Sequence, residues 1–231
     1  MRKTLIAPHE IYHVYNRGVG KQTLFKEDRD YVRFLFGILF LQSPVSFPQL
    51  GRHISAFVKS PAFDITTFSV DEKNLSEITT HRWIELIGFC IMPNHFHLLV
   101  QEKEDKGLAR YMHKVETAYG KYFSIKYKSS GHVFQNAYGA THIESNDELL
   151  YVSTYIHRNP RALQRWTDKE YSYPWSSYQD FAKRNRWSAL LNPSVIVEQF
   201  RNPEEYRKFT QESVAKETEI LDQDLMFPRP R

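Results

Sequence analysis

The period of the apolar positions changes several times along the chain, and each change marks an element. Residues 11–16 (Ile-Tyr-His-Val-Tyr-Asn) are aromatic and β-branched and run into Arg17-Gly18, which predicts a strand ending in a turn. Behind the acidic pair Glu27-Asp28, residues Tyr31, Phe34, Leu35, Ile38 and Leu41 keep helical spacing and predict a helix over 28–41. Residues 43–80 hold no lasting period and are interrupted by Pro44, Pro48, Gly51 and Pro61, so an insertion over the domain surface is expected there. Two apolar runs, 83–92 and 96–100, flank Pro93-Asn94 and read as strands joined by a tight turn. In 108–127 one stripe holds Leu108, Tyr111, Met112, Val115, Tyr119, Tyr122 and Phe123, and another holds Arg110, Lys114 and Lys121, as in a core-facing helix with a basic edge.

Residues 132–143 follow Ser129-Ser130-Gly131 and read as a strand. Ser145 and Glu148 have the spacing of a capping box. They open a helix that packs Leu149, Val152 and Ile156 and stops near Asn159-Pro160, because proline biases the residue before it away from helical geometry. The order β, α, insertion, β, β, α, β, α predicts an α+β fold, a mostly antiparallel central sheet flanked by helices. One domain is expected over 1–180, with the insertion at 43–80. A C-terminal extension over 181–231 is expected to be helical, chiefly at 198–220.

Composition narrows the class. At 231 residues, 41% hydrophobic and 25% charged, the chain can bury a core and is not a disordered polymer. Its single cysteine, Cys90, excludes a disulfide scaffold. The apolar runs 34–41 and 87–92 fall far short of the roughly 18 residues of a bilayer span. Nothing near Met1 resembles the apolar region of a signal peptide, so a soluble, cytoplasmic protein with no membrane partner is expected. The formal charge is +4, yet residues 188–231 carry 6 basic and 8 acidic side chains, which places the net positive charge in the body. A basic body rich in tyrosine and phenylalanine suits nucleic acid, through phosphate neutralisation and base stacking.

Two places could carry chemistry. His95 and His97 stand two apart on a predicted strand, so both imidazoles project from one face and could share a divalent cation. In a chain with 10 His that pattern alone is weak. On the later helix Tyr151, Tyr155 and Asn159 recur every four residues and share a face. A phenol can act as a covalent nucleophile if something stabilises the charge it develops, and a cation held near a phosphodiester would do so. Spacing does not show that the two sites meet.

The run Gly88-Phe89-Cys90-Ile91-Met92-Pro93-Asn94-His95-Phe96-His97-Leu98-Leu99-Val100 resembles the Met-Pro-Asn-His-x-His-Leu-Leu signature of the single-tyrosine HUH transposases, the insertion-sequence and REP-associated tyrosine transposase group. Other matches keep the family order: Tyr15-Asn16-Arg17-Gly18, Gly131-His132-Val133-Phe134-Gln135, Tyr155-Ile156-His157-Arg158-Asn159-Pro160 and Pro174-Trp175-Ser176-Ser177-Tyr178. The resemblance implies a ferredoxin-like HUH sheet, metal-ligand roles for His95 and His97, and a nucleophile role for Tyr155, which would keep a 5′ phosphate and release a 3′ hydroxyl. It places Asn159 at the polar third ligand of Mg²⁺ or Mn²⁺. It implies single-stranded or hairpin DNA as substrate, at repeats or palindromes, and either a monomer or a homodimer. Arg17, Arg110, Lys114, Arg158 and Arg161 are the basic side chains expected along the DNA backbone. The chain departs from relatives at Asn136-Ala137-Tyr138, where many have a small residue and then Arg-Tyr, and at Arg161-Ala162, which follows Pro160 without the usual valine. Two other readings stand beside strand transfer: a domesticated DNA-hairpin-binding protein that does not cleave, and a metal hydrolase that nicks without a covalent tyrosine.

Overall fold

The computed structural model describes residues 5–45, 52, 54 and 72–215. Its frame is an antiparallel sheet of β1 (Ile11–Arg17), β2 (Ile84–Met92), β3 (His95–Glu102) and β4 (Gly139–His142), in the order β2-β3-β1-β4. This is the strand order of a ferredoxin-like unit, with the first and third strands central, as expected. The β2–β3 turn is held by the chain that leaves β1. The Gly18 N–H donates to the Asn94 carbonyl (2.9 Å), and the N–H groups of Leu24 and Phe25 both donate to the Pro93 carbonyl (2.8 and 3.0 Å). The first residue of β3, His95, is thereby fixed relative to Arg17, its cross-strand partner.

Alternation along the strands gives the sheet two different faces. Tyr12, Val14, Phe96 and Leu98 point to one, which is covered by α1 (Asp28–Phe40) and α3 (Gly107–Tyr127). There the Phe34 and Phe96 rings lie 4.8 Å apart, and the Tyr111 hydroxyl donates to the Ile38 carbonyl at 2.9 Å. Each such fully buried ring contributes about 1.5–3 kcal/mol by leaving water. Glu27 and Asp30 form a capping box at the start of α1, and Asp30, wholly buried, also accepts from Lys126, Tyr122 and Tyr127.

The other face carries His13, Tyr15, Arg17, His95 and His97, and α4 (Asn146–Arg158) packs across β2 and β3 on that side. Beyond α4 the chain returns along β2: the Ile91 N–H donates to the Trp175 carbonyl and the Ser177 N–H to the Phe89 carbonyl, both at 2.9 Å. An otherwise bare sheet edge is thereby paired. Then come α5 (Tyr178–Ala182), α6 (Ser194–Val197) and α7 (Pro203–Glu212), which bury Phe181, Ile196 and Tyr206 against the body.

Some expectations are corrected. The single strand over 132–143 is two pieces: Phe134 bridges Gly18, β4 pairs with Tyr12 to Tyr15, and between them Asn136 and Ala137 are exposed while Tyr138 is buried, with the Asn136 carbonyl held by the Asn16 amide at 3.0 Å. Most of 43–80 lies outside the described residues, but 72–80 is a helix, α2 (Glu72–Thr80), which buries Ile78. The helix expected over 198–220 is shorter. Asn202 caps α7 by accepting from the Glu205 N–H at 2.9 Å, Pro203 occupies its first turn, and residues 216–220 lie outside the described residues. Ser145 accepts from the Glu148 N–H at 3.2 Å as expected, but the Glu148 carboxylate reaches the Glu144 N–H instead of that of Ser145. Asn159 remains helical despite the following proline, its side-chain amide donating to the Tyr155 carbonyl at 2.9 Å as the chain tightens into the 3-10 turn Asn159–Ala162.

Gly139 has a steric role. It pairs with Tyr15 across β1 and β4, and a methyl group there would overlap the Cε2–Cζ edge of the Tyr15 ring. Gly139→Val should therefore destabilise the fold by about 1–3 kcal/mol through overpacking, read as a lower urea midpoint.

Candidate active site

β3 sets the centre of the site. The His95 and His97 rings meet edge to face with centroids 5.1 Å apart. His97 is wholly buried, while His95, at the strand start, is partly open. Each ring has its Nδ1 engaged. The Asn94 Oδ1 lies 2.7 Å from that of His95, and the Nε2 of His13, a buried residue of β1, lies 2.9 Å from that of His97. Nε2 is therefore the ring nitrogen each imidazole has to offer a cation. A cation held there would fix the tautomers, with His95 Nδ1–H donating to Asn94 and His97 Nδ1–H donating to His13. The donor set thus suits a divalent ion completed by oxygen ligands. Among the described residues no group of three His, Cys, Asp or Glu could hold a metal unaided.

α4 brings Tyr155 to this pair. Its ring meets His97 edge-on at 5.5 Å and His13 at 5.9 Å. Tyr155 is wholly buried, as are most residues around this helix, because the sheet packs on one side and α7 on another. A second phenol, Tyr15, lies opposite His97 on β1. Burial pushes its pKa up, against a lowering hydrogen bond to Thr141, so Tyr15 stays a neutral phenol at ordinary pH.

The orientation of α4 rests on His157. Tyr206 of α7 sits 2.6 Å from its Nδ1, and Ser177, beside β2, sits 2.8 Å from its Nε2. A neutral imidazole satisfies both partners: with Nε2–H donating to Ser177 Oγ, Ser177 O–H donates to the Phe89 carbonyl (3.1 Å), and with Nδ1–H donating to Tyr206 Oη, Tyr206 O–H donates to Ser153 Oγ (3.3 Å). Burial lowers the imidazole to about 3, so it is uncharged when folded.

The basic residues separate. Arg17 flanks His95 across β1 and β3 and donates to Gln135. Arg158 is buried at the end of α4, and Arg161, one turn on, pairs with Asp168 at 3.1 Å. Arg110 and Lys114 lie on α3, behind the sheet. Arg110 pairs with Glu104 at 2.9 Å, Lys114 donates to the Ser43 carbonyl at 3.2 Å, and both stack over Trp83. Asn159 ends the Tyr155 helix, its amide N–H spent on Tyr155's own carbonyl.

Sequence reasoning missed His13 and Tyr15. Their two-residue spacing with Arg17 mirrors that of His95 and His97, but only the antiparallel register, with Tyr15 opposite His97, joins the two strands into one patch. His157 was visible within the tyrosine motif but carried no signal of what it holds.

The fold and this face define an antiparallel α+β protein with a histidine pair beneath a tyrosine-bearing helix. The family model described as "Transposase IS200 like" matches residues 65–159, a stretch that holds the histidine pair, Tyr155 and Asn159. The family resemblance of the signature therefore holds over this stretch. A solved structure described as "Structure of the REP associates tyrosine transposase bound to a REP hairpin" is 13% identical, with a TM-score of 0.47, covering 80% of this chain and 86% of that one. No curated protein matches. Among the described residues, no helix is long and apolar enough to cross a membrane.

Proposed function

We propose that the protein is a divalent-metal-dependent transferase of single-stranded DNA, acting at hairpins or palindromic repeats through Tyr155. The observation that carries this reading is the meeting of three separated segments on one sheet face: Tyr155 lies against His97, itself bonded to His13, with His95 alongside. His95 and His97 would hold Mg²⁺ or Mn²⁺, with the Asn159 Oδ1, water and phosphate oxygens as further ligands. The ion would supply Lewis-acid polarisation of the phosphate. Tyr155 Oη attacks phosphorus as its proton leaves, the bond to O3′ breaks, and O3′ takes up a proton. The products are a 5′-phosphotyrosine and a free 3′ hydroxyl. Attack by a second 3′ hydroxyl reverses these events and rejoins the strands. Arg17, the cross-strand neighbour of His95, would hold a backbone phosphate, and Arg110 and Lys114 would serve DNA only where it wraps to the far side of the sheet. Because Tyr155 is wholly buried, the phosphate reaches it after the residues over it move.

The test is a labelled hairpin oligonucleotide with Mn²⁺. A denaturation-resistant adduct should form and map by mass spectrometry to the Tyr155 peptide. An adduct on another residue, or nicking without one, would overturn the assignment. The burial of Tyr155 favours a second reading, a hairpin-binding protein that does not cleave; tight binding with no adduct would establish it. His13 adds an independent check. Removing its bond in His13→Ala should weaken Mn²⁺ affinity by about 10–100-fold, measured by titration of the metal's paramagnetic resonance without DNA. Unchanged affinity would show that His13 does not orient His97.

A further inference from the structure

A cavity of about 320 Å³ opens where the end of α4 meets the C-terminal helices. Arg158, Arg161, Lys169 and Arg207 line it, against two carboxylates, Asp168 and Glu170. Both carboxylates lie within reach of Arg161, at 3.1 and 3.5 Å, and Arg207 pairs at 3.6 Å with the exposed Glu204 outside the cavity, so the lining itself sets four cations against two carboxylates. The Arg207 guanidinium stacks on Tyr171 at 4.5 Å, and Tyr171 also lines the cavity. That stacking holds the fork in place with less rotamer freedom to lose on binding an anion. Arg158 is only 3% exposed and lies three residues after Tyr155, about 4.5 Å along the helix axis.

Cations from four separate segments, with a tyrosine face beside them, match a strand's phosphate next to an unpaired base. The volume exceeds that of a bare phosphate group and accommodates a nucleotide unit. We propose that this cavity binds a backbone phosphate of the same DNA strand that Tyr155 attacks, so that the C-terminal extension forms part of the strand-binding site. This inference rests on the strand-transfer reading and adds a subsite to it. Arg158 joins the two places, since it shares the helix of the nucleophile and the wall of the cavity.

The experiment measures affinity of the full chain for a labelled single-stranded oligonucleotide, by anisotropy, across a salt series. Lys169→Ala and Arg207→Ala should each weaken binding about three- to tenfold and lower the slope of log affinity against log salt by about 0.7, the share of one phosphate contact. Lys169 is exposed, so its variant folds even if Arg207→Ala does not, and Arg207→Lys should restore most of the slope. Lys208→Ala removes the same charge from α7 outside the cavity, where it pairs with Glu212 at 3.7 Å, and should leave the slope unchanged. An abasic oligonucleotide should show the same losses. Equal losses in Lys208→Ala, or none at Lys169 and Arg207, would overturn the subsite. Adduct formation is scored separately. An adduct with unaltered salt slopes removes the cavity alone, whereas lost slopes without an adduct remove strand transfer and leave the cavity standing.

Discussion

Tyr155→Phe should abolish the covalent DNA adduct and lower metal-dependent cleavage at least 10³-fold, an effect of about 4 kcal/mol or more on the barrier. The substitution suits the question because Tyr155 is wholly buried with its ring edge against His97 and His13, and phenylalanine keeps that packing while losing only the hydroxyl. The variant should unfold at nearly the wild-type urea concentration and bind Mn²⁺ with unchanged affinity. His95→Ala should also remove cleavage, but through the ion, so its Mn²⁺ affinity should fall. The pair thus separates a nucleophile from a ligand. Nicking that persists in Tyr155→Phe would assign the chemistry to a water molecule and make the protein a metal hydrolase.

The second large effect concerns pH and the fold. Burial holds His157 neutral at about 3, against an ordinary value near 6.5. Between these values the unfolded chain binds a proton that the folded chain refuses, so stability is complete above pH 6.5 and falls with acidification. The loss is about 1.4 kcal/mol per pH unit, accumulating to several kcal/mol by pH 3–4. Urea unfolding from pH 7.5 to 5 reads this term before most carboxylates titrate. His157→Gln should be less stable at pH 7.5 by about 1–3 kcal/mol, because Ser177 and Tyr206 lose well-placed partners, yet its stability should vary less with pH over that window. An equal slope in both proteins would show that the imidazole is not held neutral. Since His157 lies two residues from Tyr155 and ties α4 to β2 and α7, acidification should loosen the helix that carries the nucleophile.

Period and punctuation made much of the fold legible. The aromatic and β-branched run at 11–16, the apolar run at 96–100, the helical stripes behind Glu27 and along 108–127, and the Ser145 cap each reflect short-range energetics and correspond to β1, β3, α1, α3 and α4. Reading 132–143 as one strand failed because its two halves pair at different registers, one with Gly18 just beyond β1 and the other with Tyr12 to Tyr15 within it, a tertiary fact with no local signature. The long helix expected near the C-terminus failed for a local reason, the Asn202-Pro203 start that sets where α7 begins.

At the site, the sequence alone determined which residue types could do chemistry: two imidazoles two apart on a strand, and a tyrosine one turn from an asparagine. Backbone periodicity fixes which side chains share an element's face, and that is local. Tertiary structure decided the rest. Strand register set Tyr15 opposite His97 and brought His13 into hydrogen-bonding distance of it, and helix packing turned Tyr155 onto the same patch. It also put Arg110 and Lys114 behind the sheet while gathering Arg158, Arg161, Lys169 and Arg207 around one cavity. These groupings join residues far apart in the chain, and their cost in loop closure is met only when the whole core is buried, so no local window of sequence records them.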